Sequence, residues 1–325
     1  MAKFRILHAS DLHFSMQPRQ IAMLDDPIGL LQMRAGMYGL LAGHDPLKAA
    51  ALSNLASDLR KKYDIFLITG DIATHGAREH LDVARAFITG DPTAASVAAV
   101  SGLGRPLSDE VKVAVRLLPG NHDRYTRFGL PGNREFDDCF AEFWRAGQGA
   151  QILYRGLREG QRLFVVGADF SLRAEHISSR RVLPFLDTLG QGLVDGPALR
   201  ELRELTMSCR RLDAAAAIVW AIHFDPLTTS GALQLRRRRV LLRCAADLGV
   251  SAILCGHVHG YYSPSRGGHT GGAVVFRCGS TTQHFVPAKG GCNLQLIEID
   301  VTPTGASATL RRRYHYRQGK FEHVA

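Results

Sequence analysis

An amide, an imidazole and a carboxylate stand in a row at Asn121-His122-Asp123, directly after Pro119-Gly120. An amide oxygen can ligate a hard cation, an imidazole can move a proton near neutral pH, and a carboxylate can hold an imidazole in one tautomer. Four more groups of the same chemical kind are strung along the chain: Asp11 with His13, Asp71 behind Gly70, His223, and His257 with His259 between Gly256 and Gly260. Asp11, His13, Asp71, Asn121, His122, His223, His257 and His259 are oxygen or imidazole donors, with Asp123 as an acid behind them, and no thiolate is among them. Such a set suits Mn, Fe, Zn or Mg rather than soft copper or an iron–sulfur cluster. Seven ligands are too many for one ion. Shared through a bridging carboxylate, they make two sites about 3.5–4 Å apart.

Each group follows an apolar run that reads as a buried strand: 4–9, 64–69, 111–118, 214–222 and 250–255. Ligands collect at the carboxyl ends of strands in open α/β sheets, so the loops after these runs are where the donors belong. Asp11 and His13, and likewise His257 and His259, are two residues apart, and in extended backbone that spacing points both side chains the same way. Helices are expected over 46–63, with a stripe of Leu47, Ala50, Ala51, Leu55 and Leu59, and over 80–88, 135–145 and 236–247. Another begins at Pro197 and carries Leu199, Leu202, Leu205 and Leu212. A β-pair is expected from 151–155 and 162–168, joined by a turn at 157–160, and β-rich runs at 273–278, 293–301 and 307–316 close the fold. The connection 15–45 is long for a compact domain and holds Met16, Met23, Met33 and Met37, as either a packed flap or a lid over the substrate pocket. Residues 90–109 are loop-rich; Gly102 and Gly104 lack the third glycine and the strand of a dinucleotide site. Residues 171–193 have no clear period.

Composition narrows the class. The chain has 325 residues, 46% hydrophobic and 22% charged, an ordinary globular balance. Its formal charge of +10 suits acidic partners such as phosphate esters, nucleic acid or anionic lipid heads. The six cysteines are irregularly spaced with no C-x-x-C pair and read as buried free thiols, hence a reducing compartment, the cytoplasm. Residues 1–7 read as a strand rather than a secretion signal, and no run has the roughly 20 apolar residues that span a bilayer. The four arginines 236–239 wrap around a helix start and form no single stripe, so they read as a solvated turn.

In this order, Asp-x-His, Gly-Asp, Gly-Asn-His-Asp, a strand-end His and Gly-His-x-His resemble the calcineurin-like metallophosphoesterase superfamily, over Asp11 to His259. The resemblance implies an α/β fold, a four-layer α/β/β/α sandwich with two mixed sheets flanked by helices, read as a single domain over 1–325 with 260–325 as its β-rich C-terminal part. It implies one metal held by Asp11, His13 and His259 and a second by Asn121, His223 and His257, with Asp71 bridging. The ions would be Mn or Fe, with Zn as an alternative. His122 would be the proton donor or phosphate contact, with Asp123 its orienting partner. Many relatives have two or three adjacent histidines in the fourth motif; here His223 stands alone, followed by Phe224 and Asp225.

The chemistry expected is hydrolysis of a phosphate ester by a metal-bridging hydroxide, with His122 assisting the leaving group. His8, His44, His80, His176 and His269 read as structural, and His75 and His284 as possible pocket residues. The opening residues 6–13 and the modest length resemble the bacterial cyclic-nucleotide phosphodiesterase branch and favour a phosphodiester substrate. The alternative is a DNA nuclease of the SbcD/Mre11 type, which the net charge favours. A lipid-headgroup pyrophosphatase would require 15–45 to be an apolar lid, and a non-catalytic scaffold would be expected to have lost ligands, yet none is missing.

Overall fold

The computed structural model describes residues 1–16, 43–91, 105–125, 134–172, 190–229, 231–260, 263–265, 272–283 and 292–324. Most of the 15–45, 90–109 and 171–193 stretches, together with His176, His269 and His284, lies outside the described residues. The chain opens with β1 (Ala2–Ala9), α1 (Pro46–Asp58), β2 (Ile65–Thr69), α2 (Arg78–Thr89), α3 (Asp109–Lys112), β3 (Val115–Leu118) and α4 (Glu135–Cys139). A hairpin of β4 (Ala150–Arg158) and β5 (Gln161–Ala168) follows, then β6 (Gly192–Leu193), α5 (Gly196–Leu212), β7 (Ala217–Ile222) and β8 (Leu235–Arg236). The remainder is α6 (Arg238–Asp247), β9 (Ala252–Cys255), β10 (Val274–Arg277), β11 (Asn293–Thr302), β12 (Gly305–Arg317) and β13 (Lys320–Val324).

Two large mixed sheets form, one of six strands in the order β13-β12-β11-β1-β2-β3 and one of five in the order β10-β9-β7-β5-β4. The alternation of side chains along a strand sets the layers. Leu163, Val165, Val219, Ala221, Leu254 and Phe276 of the five-stranded sheet share a core with Phe4, Ile6 and Ile297 of the six-stranded one. Their neighbours Phe164, Val166, Ile218, Trp220, Ile222 and Ile253 face the other way, onto Ala198, Leu202 and Cys209 of α5 and Leu241, Leu242 and Ala245 of α6. Leu52 and Ala56 of α1 and Leu81 and Phe87 of α2 complete the outer layer of the first sheet. This is the four-layer α/β/β/α arrangement the resemblance implied.

Strands β1, β2 and β3 are parallel, as are β5, β7, β9 and β10. Within each sheet their carboxyl ends therefore lie at the same edge, and the motif-bearing loops leave from there. Three local expectations need correction. The run 111–118 is not one strand: Ser108-Asp109-Glu110 starts the short helix α3, because acids suit a helix N-terminus, and the strand begins only at Val115. In α1, Leu47 is 57% exposed, and Ala49, Leu52, Ser53 and Ala56 face inward. An alanine-rich helix carries too little apolar contrast for its period to fix the buried face. In α5, Leu202 is buried as expected but Leu212 is 66% exposed, at the end of the helix.

Glycine joins the two sheets at their loop edge. Gly256, after β9, lies so near the loop after β1 that a Cβ would come 1.8 Å from Ser10 Oγ and 2.4 Å from Asp11 Oδ2. Gly196, at the start of α5, has nothing within 4 Å of that position. Gly256→Ala is expected to destabilise the chain by about 2 kcal/mol in chemical denaturation, the usual scale of overpacking, whereas Gly196→Ala changes it little.

Candidate metal centre

The loops that carry the donors are held in unusual backbone conformations. Asp11, His13, Asp71, His257 and His259 all have φ between +49° and +74°, five of the eight non-glycine residues with positive φ among the described residues. Left-handed backbone costs a non-glycine residue roughly 1–3 kcal/mol and clusters at functional sites. Asp11 and His13 are therefore not the extended pair their spacing suggested; neither are His257 and His259. Backbone bonds fix the strained turn instead. The Asp11, His13 and Phe14 amides donate to the Gly70, Asp71 and Ile72 carbonyls at 3.0, 3.0 and 2.8 Å, so the loops after β1 and β2 run side by side. Gly70 and Gly120 let the β2 and β3 loops close: a Cβ on Gly70 would stand 2.7 Å from Gly120, and one on Gly120 would stand 2.2 Å from Asp71 Oδ1.

The residues from Asn121 to Tyr125 are all pinned by hydrogen bonds or ion pairs. The His122 amide donates to Asp71 Oδ1 at 2.9 Å. The Asp123 carboxylate accepts from the backbone of Ile72, Ala73 and Gly120, at 3.1, 2.8 and 2.8 Å. Arg124 pairs with Asp137 and Asp169 at 2.8 and 2.9 Å. The Tyr125 hydroxyl meets Asn121 Nδ2. Here the expectation for Asp123 is overturned. The His122 ring is held by the Thr74 carbonyl, 2.8 Å from Nδ1, while the carboxylate of Asp123 braces the β2 loop against the β3 loop. Three backbone amides compete for that carboxylate, and a main-chain carbonyl suffices for the ring. Residue types could not have revealed Thr74, since any residue supplies a carbonyl.

The seven remaining donors converge on two points. Around the first, His259 Nε2 lies 3.2 Å from Asp11 Oδ1 and 3.3 Å from His13 Nε2. His13 Nε2 stands 3.9 Å from Asp11 Oδ1 and 4.0 Å from Asp71 Oδ2. Around the second, His223 Nε2 lies 3.2 Å from the same Asp71 Oδ2, 3.2 Å from His257 Nδ1 and 3.0 Å from Asn121 Oδ1. The ligand atoms of Asp11, His13, Asp71 and His259, and those of Asp71, His223 and His257, each fall within 4.8 Å of one another. Two ligands about 2.1 Å from one cation and 100° apart stand about 3.2 Å from each other, so these spacings fit an ion at each point.

The donor chemistry demands positive charge there. His223 Nδ1 donates to the Thr69 carbonyl at 2.8 Å, so in the neutral ring Nε2 is a lone pair. It faces the oxygens of Asn121 and Asp71, both acceptors. Asp11 Oδ1 and Asp71 Oδ2 are buried without a hydrogen-bond partner. Burial lowers the His223 pKa, but the Asp71 charge more than offsets that and lifts it to about 9. Burial likewise works to raise Asp71, yet the charges of His223 and His122 hold it well below the usual carboxylate range. His257 is pushed down to about 3, by burial first and then by His223. A proton on His223 partly answers the gathered lone pairs, and two divalent cations would answer them fully. His122 sits at the rim, its Nε2 3.8 Å from Asp71 Oδ2 and its ring 4.8 Å from that of His13; burial lowers its pKa.

The remaining candidates do not join the clusters. His75 is buried near His80, 5.6 Å between ring centres, and neither of its ring nitrogens has a hydrogen-bond partner. His44 accepts the Ser15 amide, and His8 contacts Thr69. Asp225 accepts the Leu227 amide and faces Arg277 at 3.7 Å, so its charge is matched outside the two clusters. Sequence reasoning missed Arg124 and Tyr125, the residues that carry the Asn121 loop from behind.

The family model for calcineurin-like phosphoesterases matches residues 4–261. No curated protein matches the chain. Among solved structures, a dimetal phosphatase from Danio rerio is similar at a TM-score of 0.55 and 11% identity, over 94% of this chain and 98% of that one. The sulfate thiohydrolase SoxB of Thermus thermophilus, in complex with glycerol, aligns at 0.47 and 17%, over 94% and 56%. The NAD nucleotidase of Haemophilus influenzae aligns at 0.46 and 13%, over 100% and 54%, so this chain spans about half the length of each of these two. At such identities the likeness to the zebrafish protein speaks for the fold alone. The family match reaches from β1 past the last histidine pair, and the chain belongs to the calcineurin-like phosphoesterase family.

Proposed function

We propose that this phosphoesterase is a phosphodiesterase working with two divalent ions, Mn or Fe, with Zn as the alternative. The observation that carries the reading is the convergence of buried, partnerless acceptors on two points that share Asp71. Asp11, His13, Asp71 and His259 would hold one ion, and Asp71, Asn121, His223 and His257 the other. When bound, such a pair neutralises phosphoryl oxygens and supplies a nucleophile at neutral pH.

The chain's own residues do the rest. The Thr74 carbonyl fixes the His122 tautomer and leaves Nε2 facing the clusters. An anionic ester beside it favours the charged imidazole against burial, and the proton then passes from Nε2 to the departing oxygen. A diester is the substrate class that matches the local charge. Arg124 is committed to Asp137 and Asp169, and Arg277 to Asp225. A diester monoanion needs less counter-charge than a monoester dianion. The net charge of +10 favours a second reading, cleavage of DNA. All six cysteines are free, five of them buried, which supports a reducing compartment, and we place the protein in the cytoplasm. No helix among the described residues is long and apolar enough to cross a membrane.

A Mn-supplemented panel of bis(p-nitrophenyl) phosphate, p-nitrophenyl phosphate, cyclic AMP and single- and double-stranded DNA tests the reading. Turnover of the diesters above the monoester is expected; salt-sensitive DNA cleavage with inert cyclic AMP would move the assignment to a nuclease. Two variants separate the roles. His122→Ala should keep both ions and lose about 100-fold or more in kcat, and an equal loss of metal would contradict its role. Asp71→Asn should weaken both sites, by about 10-fold or more in metal affinity, and a variant that still binds two ions tightly would refute the bridge.

A further inference from the structure

We infer that the outer face of α5 and α6 docks on an anionic lipid surface, with arginines on the headgroup phosphates and an aliphatic groove between the helices taking up part of an acyl chain. The short strands β6 and β8 pair, and the Val194 amide donates to the Arg236 carbonyl at 3.1 Å, so the two helices start side by side. Both then pack on the same face of the five-stranded sheet. Between them lies a groove of about 320 Å³. Its floor is aliphatic: Leu199, Cys244 and Leu248 are partly buried against the core beneath, and Val240 is 41% exposed. Its rim is basic, with Arg200 and Arg203 on α5 and Arg243 on α6. Arg239 stands four residues before Arg243 on the same helix and is its neighbour on that surface, and the turn at Arg236 and Arg237 leads into it. These six arginines are exposed, and none is in an ion pair with a described residue. Asp247 is the acid that lines the groove, while Glu201 and Glu204 line the opposite flank of α5.

The occupant follows from the size and chemistry of this face. One turn of an α-helix, about 5.4 Å high and about 10 Å across, fills about 420 Å³, so the groove is too small to seat the helix of a partner protein. No aromatic side chain lines it, so nucleic-acid bases have nothing to stack on, and a duplex backbone offers no apolar group for its floor. A phospholipid has both an anionic phosphate and a flexible hydrocarbon tail. Arginine takes phosphate oxygens through two parallel N–H bonds, and peripheral proteins add buried apolar area to such contacts. The Debye length at physiological salt is about 8 Å, so the arginines of this face count and charge on the far side of the molecule does not. Each helix returns the chain from the carboxyl end of one parallel strand to the start of the next, so the starts of both helices lie at the loop edge that also carries the metal clusters. The inference goes beyond the phosphodiesterase reading and does not depend on it.

Co-sedimentation with vesicles of phosphatidylcholine and about 30% phosphatidylglycerol, in about 0.15 M salt, tests the inference. The wild-type chain is expected to bind these vesicles and not pure phosphatidylcholine. Arg200→Gln, Arg203→Gln and Arg243→Gln together are expected to weaken binding about 100-fold, at about 5-fold for each arginine taken from an anionic surface. The same charge removed by Arg105→Gln, Arg312→Gln and Arg317→Gln, exposed positions on the side of the six-stranded sheet, should cost less than about 3-fold. Val240→Trp reads the groove itself. Trp144 and Trp220 are fully buried, so the new indole dominates any quenching by brominated acyl chains, and strong quenching is expected. Failure of the wild-type chain to bind the anionic vesicles, an equal loss in the two triple variants, or an unquenched Val240→Trp signal on bound protein would each overturn the inference. Binding of a DNA duplex that the first triple variant loses, with no binding to vesicles, would make the face a nucleic-acid contact and overturn it as well.

Discussion

Like electron pairs repel, and this protein gathers them. Carboxylate, amide and imidazole groups from five loops are turned toward two buried points, and the Asp11 Oδ1 and Asp71 Oδ2 atoms that face them have no hydrogen-bond partner. In a low-dielectric interior such an arrangement is expensive unless positive charge stands at its centre. The rest of the molecule can be read as the means of bearing that cost. Left-handed backbone at Asp11, His13, Asp71, His257 and His259 adds strain, and the bonds between the β1 and β2 loops and the glycine contacts at positions 70, 120 and 256 hold the strained turns in place.

The sandwich explains why the points are two and why they touch. The six-stranded sheet delivers Asp11, His13, Asp71 and Asn121, and the five-stranded sheet delivers His223, His257 and His259. Each cluster draws from both sheets, so neither forms unless the sheets pack face to face. Asp71 lies where they meet, with one carboxylate oxygen on the His122 amide and the other facing both clusters. Behind it, Asp123 ties the β2 and β3 loops, and Arg124 ties the β3 loop to Asp137 and to Asp169 after β5.

Much of this was legible from residue order, and the failures have physical causes. Apolar runs ending in Gly, Asp, Asn or His marked the strands and their functional ends, because buried parallel strands are apolar throughout and place their ligands at one edge. The convergence of Asp11 with His13 was foreseen from a two-residue period, yet the backbone reaches it through left-handed turns, which no period reports. Asp123 was misread because side-chain chemistry suggests a partner for His122, whereas the fold uses the Thr74 carbonyl, a group every residue carries. The buried face of α1 and the helical start at Asp109 were missed for weaker reasons: alanine gives little contrast, and four residues are too few for a period to show. Tyr125 and Arg124 matter only through neighbours distant in sequence, and composition holds no trace of that.

The central claim is that the two acceptor clusters are cation sites joined by Asp71. Anomalous diffraction from crystals grown with Mn measures this directly. The account predicts two peaks about 3.5–4 Å apart on either side of Asp71 Oδ2, one among Asp11, His13 and His259 and the other among Asn121, His223 and His257. A single peak, or metal bound elsewhere with His223 still resting on Asp71, would contradict it.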